Sequence, residues 1–586
     1  MRGPYAGTTV GTAMATDEHF DAVVVGTGFG GSTTALRLAE AGRSVLVLER
    51  GQPHPPGSFP RAPHAMRTNF WAPEVGGFGL FDLWGFDSLD VVMASGLGGG
   101  SLIYANVMLR KDERTFVRED LGNGGYENWP VTRADLEPHY DRFERLQRPQ
   151  RFPLEDGEPY ATTPKTRAMF DAAERMELPC ELPPLAVLFA AVAGERPAPG
   201  RPVPGGEWNV HGTPRSTCRL CGECDIGCNY GSKSTLDLTC LSEAWRLGAQ
   251  LRTCCEVRTI APAADAGSRA GYVVGYRQHL PAREGHPAHL LDPSEEELRK
   301  VTCEHVVLAA GAIGSTHLLL ANRASLPRLS PALGRHFSAN GDYLALLRNC
   351  RTRGADGGSD WRYLDPSRGP VITASINVEE ERSSSGRGYH LQDAGAPAFA
   401  DWLWHELEIP GDLWRARRGI AGRVVDRLRG RRDTHLTGIA AEFFGDTHTS
   451  AAMMPLLAMG RDIPNGRLRL EGERLELDWS AQPSQAYYDG VRDSLEELAT
   501  ALGGHLDKDP LDRRSRAVTV HPVGGCVMAA DPRLGVVDAW GQVHGHPGLW
   551  VADGAVMPGP VGPNPSFTIA ALADRFADAM IEGPQQ

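Results

Sequence analysis

The 586-residue chain has no run of about 18 consecutive apolar residues, so the sequence predicts no membrane-spanning helix. Basic residues are also in the minority, since 60 Lys and Arg stand against 73 Asp and Glu for a net charge of −13. That balance argues against a nucleic-acid partner, because phosphate binding draws on a basic surface. The first residues lack the profile of a secretory signal, so we expect a disordered leader at 1–20 and a cytoplasmic protein.

Cysteines are few and unevenly placed. The chain has 11, an odd number, and most of them fall at 218–255. This is not the pattern of a secreted disulfide framework, and reduced thiols or metal ligands are expected instead. The chain is too long for one hydrophobic core, which stops growing at about 250–300 residues, so at least two lobes are expected.

The first ordered segment is predicted to be a βαβ unit at 21–51. Two apolar, β-branched runs, AVVVG and SVLVLE, are typical of strands buried on both faces, and the residues between them have helical spacing. Gly26, Gly28 and Gly31 form the pattern GxGxxG where the first strand meets the helix. In this context the pattern predicts dinucleotide binding, with the pyrophosphate at the helix N-terminus. Glu49, after the second strand, is placed to bind the ribose hydroxyls.

This fingerprint does not separate NAD from FAD, but four motifs do so by resemblance. In this order they resemble the glucose–methanol–choline (GMC) family of flavoproteins, and most of all its bacterial, cholesterol-oxidase-like branch. The motifs are GTGFGGSTTALRLAEAGRSVLVLERG at 26–51, GLGGGSLIYANVML at 96–109, HPVGGCVM at 521–528 and GLWVADGAVMPGPVGPNPSFTIAALADR at 548–575. The resemblance is weakest across 350–440, where substrate choice would be decided.

The resemblance implies an α/β fold with an FAD-binding, Rossmann-like lobe and an α+β substrate lobe with an antiparallel sheet. The expected parts are the FAD lobe at 21–335, the substrate lobe at 336–500 and a C-terminal return at 501–586. The residues implied to bind FAD, beyond the first glycines and Glu49, are Gly98, Gly99, Gly100, Asn106, Val257, Gly311, Asp553, Gly554 and Pro565.

The implied activity is FAD-dependent oxidation of an alcohol, favoured to be an apolar secondary alcohol such as a sterol. His521 and Asn564 match the family's His/Asn pair that faces flavin N5. A neutral imidazole can accept the hydroxyl proton, and an amide can orient the alcohol oxygen. The carbinol hydride would pass to flavin N5, and oxygen or another acceptor would reoxidise the flavin. A flavin-binding electron carrier without alcohol chemistry is the alternative from another class.

The run CRLCGECDIGCNYG places Cys218, Cys221, Cys224 and Cys228 at the C-x2-C-x2-C-x3-C spacing of bacterial ferredoxins. Some relatives in the GMC family carry an iron–sulfur cluster on C-x5-C-x3-C, which this run also contains. Against a cluster, the run ends in Cys-Asn instead of Cys-Pro, and the chain has no second run. A loop of reduced thiols is the favoured interpretation, and a flavin–iron–sulfur dehydrogenase is the alternative.

The stretch 412–432 is basic and roughly amphipathic. A solvated helix face is the favoured interpretation. The alternative is a lid that guides an apolar substrate or contacts a membrane surface.

Overall fold

The computed structural model describes residues 18–120, 126–263, 271–281, 298–353, 358–397, 451–507 and 517–583. The stretch 412–432 and most of the expected leader lie outside these residues. No helix in the described ranges is long and apolar enough to cross a membrane.

The described chain folds into seven α-helices and many short strands. The helices are α1 (Phe29–Glu40), α2 (Arg133–Gln147), α3 (Pro164–Arg175), α4 (Cys240–Arg246), α5 (Gly311–Ala321), α6 (Gln485–Ala501) and α7 (Ser566–Glu582). The strands of the first half are β1 (His19–Val25), β2 (Val45–Leu48), β3 (Trp71–Ala72), β4 (Gly77–Phe78), β5 (Phe81–Gly85), β6 (Leu89–Ala94), β7 (Arg118–Asp120), β8 (Tyr126–Asn128), β9 (Gln150–Arg151), β10 (Cys180–Glu181), β11 (Pro184–Leu185), β12 (Gln250–Arg252), β13 (Cys255–Pro262) and β14 (Tyr272–Gln278). Those of the second half are β15 (Arg299–Leu308), β16 (Tyr343–Arg348), β17 (Arg351–Arg353), β18 (Ser359–Trp361), β19 (Ser375–Val378), β20 (Tyr389–Asp393), β21 (Met454–Gly460), β22 (Arg467–Glu471), β23 (Arg474–Asp478), β24 (His505–Asp507), β25 (Ala517–Thr519) and β26 (Leu549–Val551).

The first sheet has the order β12-β2-β1-β15-β14-β13, and β26 also pairs with β15. Strands β12, β2, β1, β15 and β26 pair in parallel, whereas β14 pairs antiparallel with both of its neighbours, β15 and β13. Val23, Val306 and Leu46 are neighbours across this sheet and are fully buried. Such continuous apolar strands belong in a sheet covered on both faces. This confirms the predicted βαβ unit and the parallel, Rossmann-like sheet.

Distant segments complete the first lobe. Helices α1 and α7 pack together. Helix α2 packs on α7, and α4 packs on α1. Helix α7 and strand β26 come from the last 40 residues of the chain. The sheet and these helices share one large buried core. The nucleotide-binding lobe is therefore assembled from segments far apart in sequence, as predicted.

The second large sheet is antiparallel, with the order β10-β19-β20-β21-β16-β24. Helices α3 and α6 cover one face of it with a separate apolar core. Its strands β10 and β24 come from outside 336–500. The antiparallel substrate-lobe sheet is confirmed, and the domain limits given above stay a prediction.

Candidate active site

The turns that follow β1, β15 and β26 meet at the carboxyl ends of these parallel strands. A Cβ on Gly26 would lie 2.4 Å from the Ala309 carbonyl oxygen, and one on Gly30 would lie 1.5 Å from that of Ala552. Gly26 also has a left-handed φ of +99°. Only glycine allows these approaches, so the predicted tight turn is present. In parallel α/β sheets this edge is where nucleotides bind.

Gly28 and Gly31 differ in the space around them. A Cβ on Gly31 would lie 2.1 Å from the Gly26 carbonyl oxygen, so Gly31 permits close packing of α1 on the first strand turn. A Cβ on Gly28, the residue before α1, would meet nothing within 4 Å. No side chain caps this helix end, so its first N–H groups have no side-chain partner there. This arrangement fits a pyrophosphate.

The second glycine-rich loop lies against the first. Gly98 and Gly99 have φ values of +112° and +52°, and a Cβ on Gly99 would be 2.7 Å from Gly28 Cα. The Gly98 N–H donates to Thr27 Oγ1 at 3.0 Å. Gly100 is exposed, and a Cβ there would meet nothing within 4 Å. The two loops thus lie against each other at Gly28 and Gly99, as binding of one dinucleotide by both loops requires.

Glu49 is buried beneath this loop junction. Its carboxylate accepts from Thr27 N at 3.1 Å, Thr27 Oγ1 at 2.5 Å and Gly51 N at 2.9 Å. Burial raises the pKa of this carboxyl. A carboxylate has about four acceptor positions, so capacity for a ribose hydroxyl remains. Its contact with the ribose stays a prediction.

Asp553 joins two further predicted residues. Its carboxylate accepts from the N–H of Gly311 at 2.9 Å, from Ser315 Oγ at 2.5 Å and from Ala555 N at 2.8 Å. Burial raises the pKa of Asp553 to about 6. A Cβ on Gly554 would lie 3.3 Å from the Pro522 carbonyl oxygen, next to His521. Asp553 therefore links the nucleotide edge of the sheet to the predicted catalytic segment.

The remaining predicted cofactor residues lie at three places. Val257 is buried in β13, two residues after Cys255, whose N–H donates to the Glu49 carbonyl oxygen at 2.8 Å. Pro565 directly precedes α7, whose first residue, Ser566, has a buried hydroxyl without a partner. Asn106 has a left-handed φ of +73° and lies beside the Cys224 sulfur. The contact of these residues with FAD stays a prediction.

His521 is held by a buried carboxylate that the sequence did not reveal. Its Nδ1 lies 2.8 Å from Asp342 Oδ1, and its side chain is 15% exposed against 1% for Asp342. The other oxygen of Asp342 accepts from Thr519 Oγ1, Val520 N and His521 N at 2.9–3.2 Å. An Nδ1–H donated to a carboxylate fixes the tautomer and leaves Nε2 as an acceptor. The pair can therefore present a general base.

The segment 338–342 connects His521 to the loop that carries Asn564. Ser338 and Val523 exchange backbone hydrogen bonds, at 3.0 and 3.1 Å, beside His521. Asn340 Oδ1 accepts from Val561 N at 2.8 Å, and its Nδ2 donates to the Pro563 carbonyl oxygen at 3.2 Å. At the other end of the segment, Asp342 binds His521. Both predicted catalytic residues are therefore anchored on one short segment.

Asn564 is 6% exposed and faces the six-stranded sheet. Its Oδ1 accepts from Gln392 Nε2 at 3.2 Å. Because this bond occupies the amide oxygen, the Nδ2 group is oriented away from Gln392 and is available to donate. The side-chain oxygen of Gln392, Oε1, is itself buried without a hydrogen-bond partner. Gln392 is thus a second site residue that sequence patterns did not indicate.

A cavity of about 370 Å³ opens beside the Asn564 loop. Gly562 and Pro563 line it, together with Asn377 and His390, which are opposite each other on β19 and β20. Gln392, two residues after His390, lies on the same face of β20 because side chains alternate along a strand. Burial lowers the pKa of His390 to about 4. Charged side chains complete the wall, among them Asp112, Arg133, Glu181, Glu380 and Arg461.

The four cysteines of the 218–228 run line one small cavity of about 20 Å³, together with Lys233. In the described residues, no three of their sulfurs lie within 4.8 Å of one another. Ligands of a tetrahedral zinc ion with bonds of about 2.3 Å would be about 3.8 Å apart, so this arrangement is not a zinc site. Burial raises the pKa of Cys218 and Cys224, and that of Cys221 to about 12, which favours the protonated thiols.

Comparison with known proteins places the chain among flavoenzymes. A family model described as FAD binding domain matches residues 21–56, and one described as GMC oxidoreductase matches residues 427–573. A cholesterol oxidase of Mycobacterium tuberculosis is 28% identical over 583 residues, which cover 95% of this chain and 90% of that protein. Paromamine 6'-oxidase of Streptomyces fradiae is 26% identical over 594 residues, covering 96% and 92%. A fungal aryl-alcohol oxidase structure aligns with a TM-score of 0.55 at 17% identity over 97% of this chain and 99% of that chain, a likeness of fold alone.

Proposed function

The chain belongs to the GMC oxidoreductases, FAD-dependent enzymes that act on alcohols, and we propose that its substrate is an apolar secondary alcohol, with a sterol or similar polycycle favoured. The similarity to cholesterol oxidases over nearly the whole chain supports this substrate class. The observation that carries the proposed chemistry is the His521–Asp342 pair beside the anchored Asn564 loop. The pair supplies a base, and the loop carries Asn564 as the proposed donor.

In the proposed mechanism each residue has one task. FAD would be held by the glycine turns at 26–31 and 98–100 and would supply the acceptor for the carbinol hydride, its flavin N5. His521 keeps Nδ1–H on Asp342 and takes the hydroxyl proton at Nε2. Asn564, with its oxygen occupied by Gln392, donates from Nδ2 to the alcohol oxygen and holds the carbinol carbon in place. Loss of the proton and the hydride leaves a ketone.

The cavity beside the Asn564 loop supports a second substrate class. Its volume of about 370 Å³ suits a small molecule, but charged side chains form much of its wall. Such a wall favours a hydrophilic alcohol over a sterol, because charged groups covered by an apolar ligand lose their hydration. The relative named paromamine 6'-oxidase is 26% identical over 96% of this chain, close to the 28% of the cholesterol oxidase. A polar amino-alcohol is therefore the second candidate.

Anaerobic mixing of the FAD-loaded enzyme with three alcohols tests the substrate proposal. The probes are cholesterol in detergent micelles, benzyl alcohol and paromamine, and the readout is bleaching of the visible flavin bands. We expect cholesterol to reduce the flavin fastest. Faster reduction by paromamine would overturn the sterol proposal in favour of the second candidate. Absence of reduction by every alcohol would instead favour an electron carrier without alcohol chemistry.

We also propose that electrons leave the flavin directly, to oxygen or another acceptor. The ending of the run in Cys-Asn and the lack of a second run in the sequence support a loop of reduced cysteines. Convergence of four sulfurs on one cavity supports the alternative, an iron–sulfur cluster. Iron and sulfide analysis of anaerobically purified protein decides between them. Stoichiometric iron and sulfide, lost in Cys224→Ser, would contradict direct transfer.

A further inference from the structure

Lys111 is a fully buried lysine that the mechanism above does not use. Its Nζ donates to the carbonyl oxygens of Pro560 and Val561, at 3.0 and 3.3 Å. Both carbonyls belong to the loop that leads into Asn564. The lysine therefore acts directly on the main chain of the proposed active site.

Two aromatic rings and a buried carboxylate surround Lys111. The Nζ atom lies 4.4 Å from the centre of the Trp129 ring and 5.3 Å from that of Phe116. Buried Glu127 accepts from Trp129 Nε1 at 2.9 Å and packs so closely that a Cβ on Gly559 would lie 2.5 Å from its Cδ. Lys111 and Glu127 thus bound the stretch 559–561 on one side.

Asn340 binds the same stretch through different groups. Asn340 accepts from the N–H of Val561 and donates to the carbonyl oxygen of Pro563. Lys111 donates to the carbonyl oxygens of Pro560 and Val561. The loop PGPVGPNP has prolines at 558, 560, 563 and 565, which lack an N–H and so cannot donate a main-chain hydrogen bond. Its conformation therefore depends on these side-chain bonds, because buried carbonyls are rarely left unpaired.

We propose that Lys111 is a positioning residue, which fixes the 559–563 main chain and thereby the orientation of the Asn564 amide over the substrate hydroxyl. This inference rests on the proposed role of Asn564. A displacement of about 1 Å at a reacting centre can cost about 100-fold in rate, so loss of the anchor should be visible in the chemical step.

The charge state of Lys111 adds a pH dependence. The groups that act on it are Glu127, Arg461, Asp112 and Glu380. Burial outweighs the carboxylates and lowers the pKa of Lys111 to about 7. Below this pH the ammonium makes charge-assisted bonds to both carbonyls, and above it the neutral amine makes weaker ones. The loop is therefore held best on the acidic side of pH 7.

The test measures the loop and the chemistry separately. Hydrogen–deuterium exchange of the peptide 556–567 reports the loop, and anaerobic flavin reduction by the best alcohol of the panel reports the chemistry. Lys111→Met keeps the apolar stem and removes the donors, and Lys111→Gln keeps one donor group. Leu498→Ala, in α6 on the helix-covered face of the six-stranded sheet, is the control for a general loss of stability.

We expect Lys111→Met to raise exchange at the loop and to slow limiting flavin reduction by at least about 10-fold, with Lys111→Gln intermediate and Leu498→Ala unchanged in both. In the wild type, loop exchange corrected for its intrinsic rate should increase above pH 7. Exchange in Lys111→Met equal to that of the wild type would overturn the proposal, as would a wild-type loop insensitive to pH. Faster loop exchange with undiminished flavin reduction would instead show that the role assigned to Asn564 is wrong.

Discussion

Replacement of Asp342 by Asn tests the dependence of His521 on its buried partner. The carboxylate accepts Nδ1–H of His521 at 2.8 Å, and three further donors occupy its other oxygen. An Asn amide placed there can offer N–H to Nδ1, which would move the imidazole proton to Nε2. In that tautomer His521 cannot accept the hydroxyl proton.

The expected loss of rate follows from the hydrogen bond between His521 and the Asp342 carboxylate. A hydrogen bond to a charged group contributes about 1.5–3 kcal/mol, and each 1.36 kcal/mol changes a rate about tenfold. Asp342→Asn should therefore slow flavin reduction about 10- to 150-fold, while FAD content and the affinity for the alcohol change little. This range is the cost of keeping Nδ1–H without the carboxylate, and the loss rises toward about 10⁴-fold, as in the serine-protease triad, where the Nε2–H tautomer prevails completely.

The assay is anaerobic stopped-flow reduction of the flavin at saturating alcohol. Asp462→Asn is the matched control, because Asp462 is equally buried and binds Ser338 and Ala339 on the same segment, and no His521 bond is among its described contacts. This control should stay within about threefold of the wild type. Flavin reduction by Asp342→Asn at the wild-type rate, with FAD bound, would refute the role of the pair.

Three further changes have defined outcomes. Gly31→Ala puts a Cβ 2.1 Å from a backbone oxygen and should lower both the melting temperature and the flavin-to-protein ratio. Gly28→Ala, whose Cβ meets nothing within 4 Å, should lower the flavin-to-protein ratio alone. Equal melting temperatures of the two variants would contradict this. Lys165→Met leaves the fully buried Asp393 without its cationic partner and should cost about 3–5 kcal/mol in urea unfolding, and an unchanged free energy of unfolding would contradict this. Cys228→Ala should leave alcohol-dependent flavin reduction and reoxidation by oxygen unchanged, and slower reoxidation would point to electron flow through the cysteines.

Local patterns in the sequence predicted the nucleotide edge of the fold well. Gly26 and Gly31 are required by their immediate surroundings, and apolar strands such as β1 are recognisable by composition. The return of β26 and α7 to the first lobe followed from the family resemblance, since pairing between β15 and β26 joins segments that no local pattern connects. Both the local βαβ unit and the C-terminal part of the cofactor lobe were therefore predictable.

The partners of the catalytic pair were not predictable. Asp342 precedes His521 by 179 residues, and Gln392 precedes Asn564 by 172, so neither contact has a local signal. The turn SANGD at 338–342 does contain Asn340 with a left-handed φ of +54°, which its Asn-Gly sequence could have indicated. Lys111 stands in the charged run RKDER, a pattern typical of solvent exposure, yet it is fully buried. Only tertiary packing reveals such a residue.

The most direct test of the account is anaerobic flavin reduction in His521→Ala. The variant should bind FAD as the wild type does, because the described contacts of the His521 side chain are to Asp342 and none is to the glycine loops. Loss of a general base costs about 10²- to 10⁴-fold, so flavin reduction by the best alcohol should fall by at least 100-fold. Reduction as fast as in the wild type, at equal FAD content, would contradict the assignment of His521 as the base that takes the hydroxyl proton.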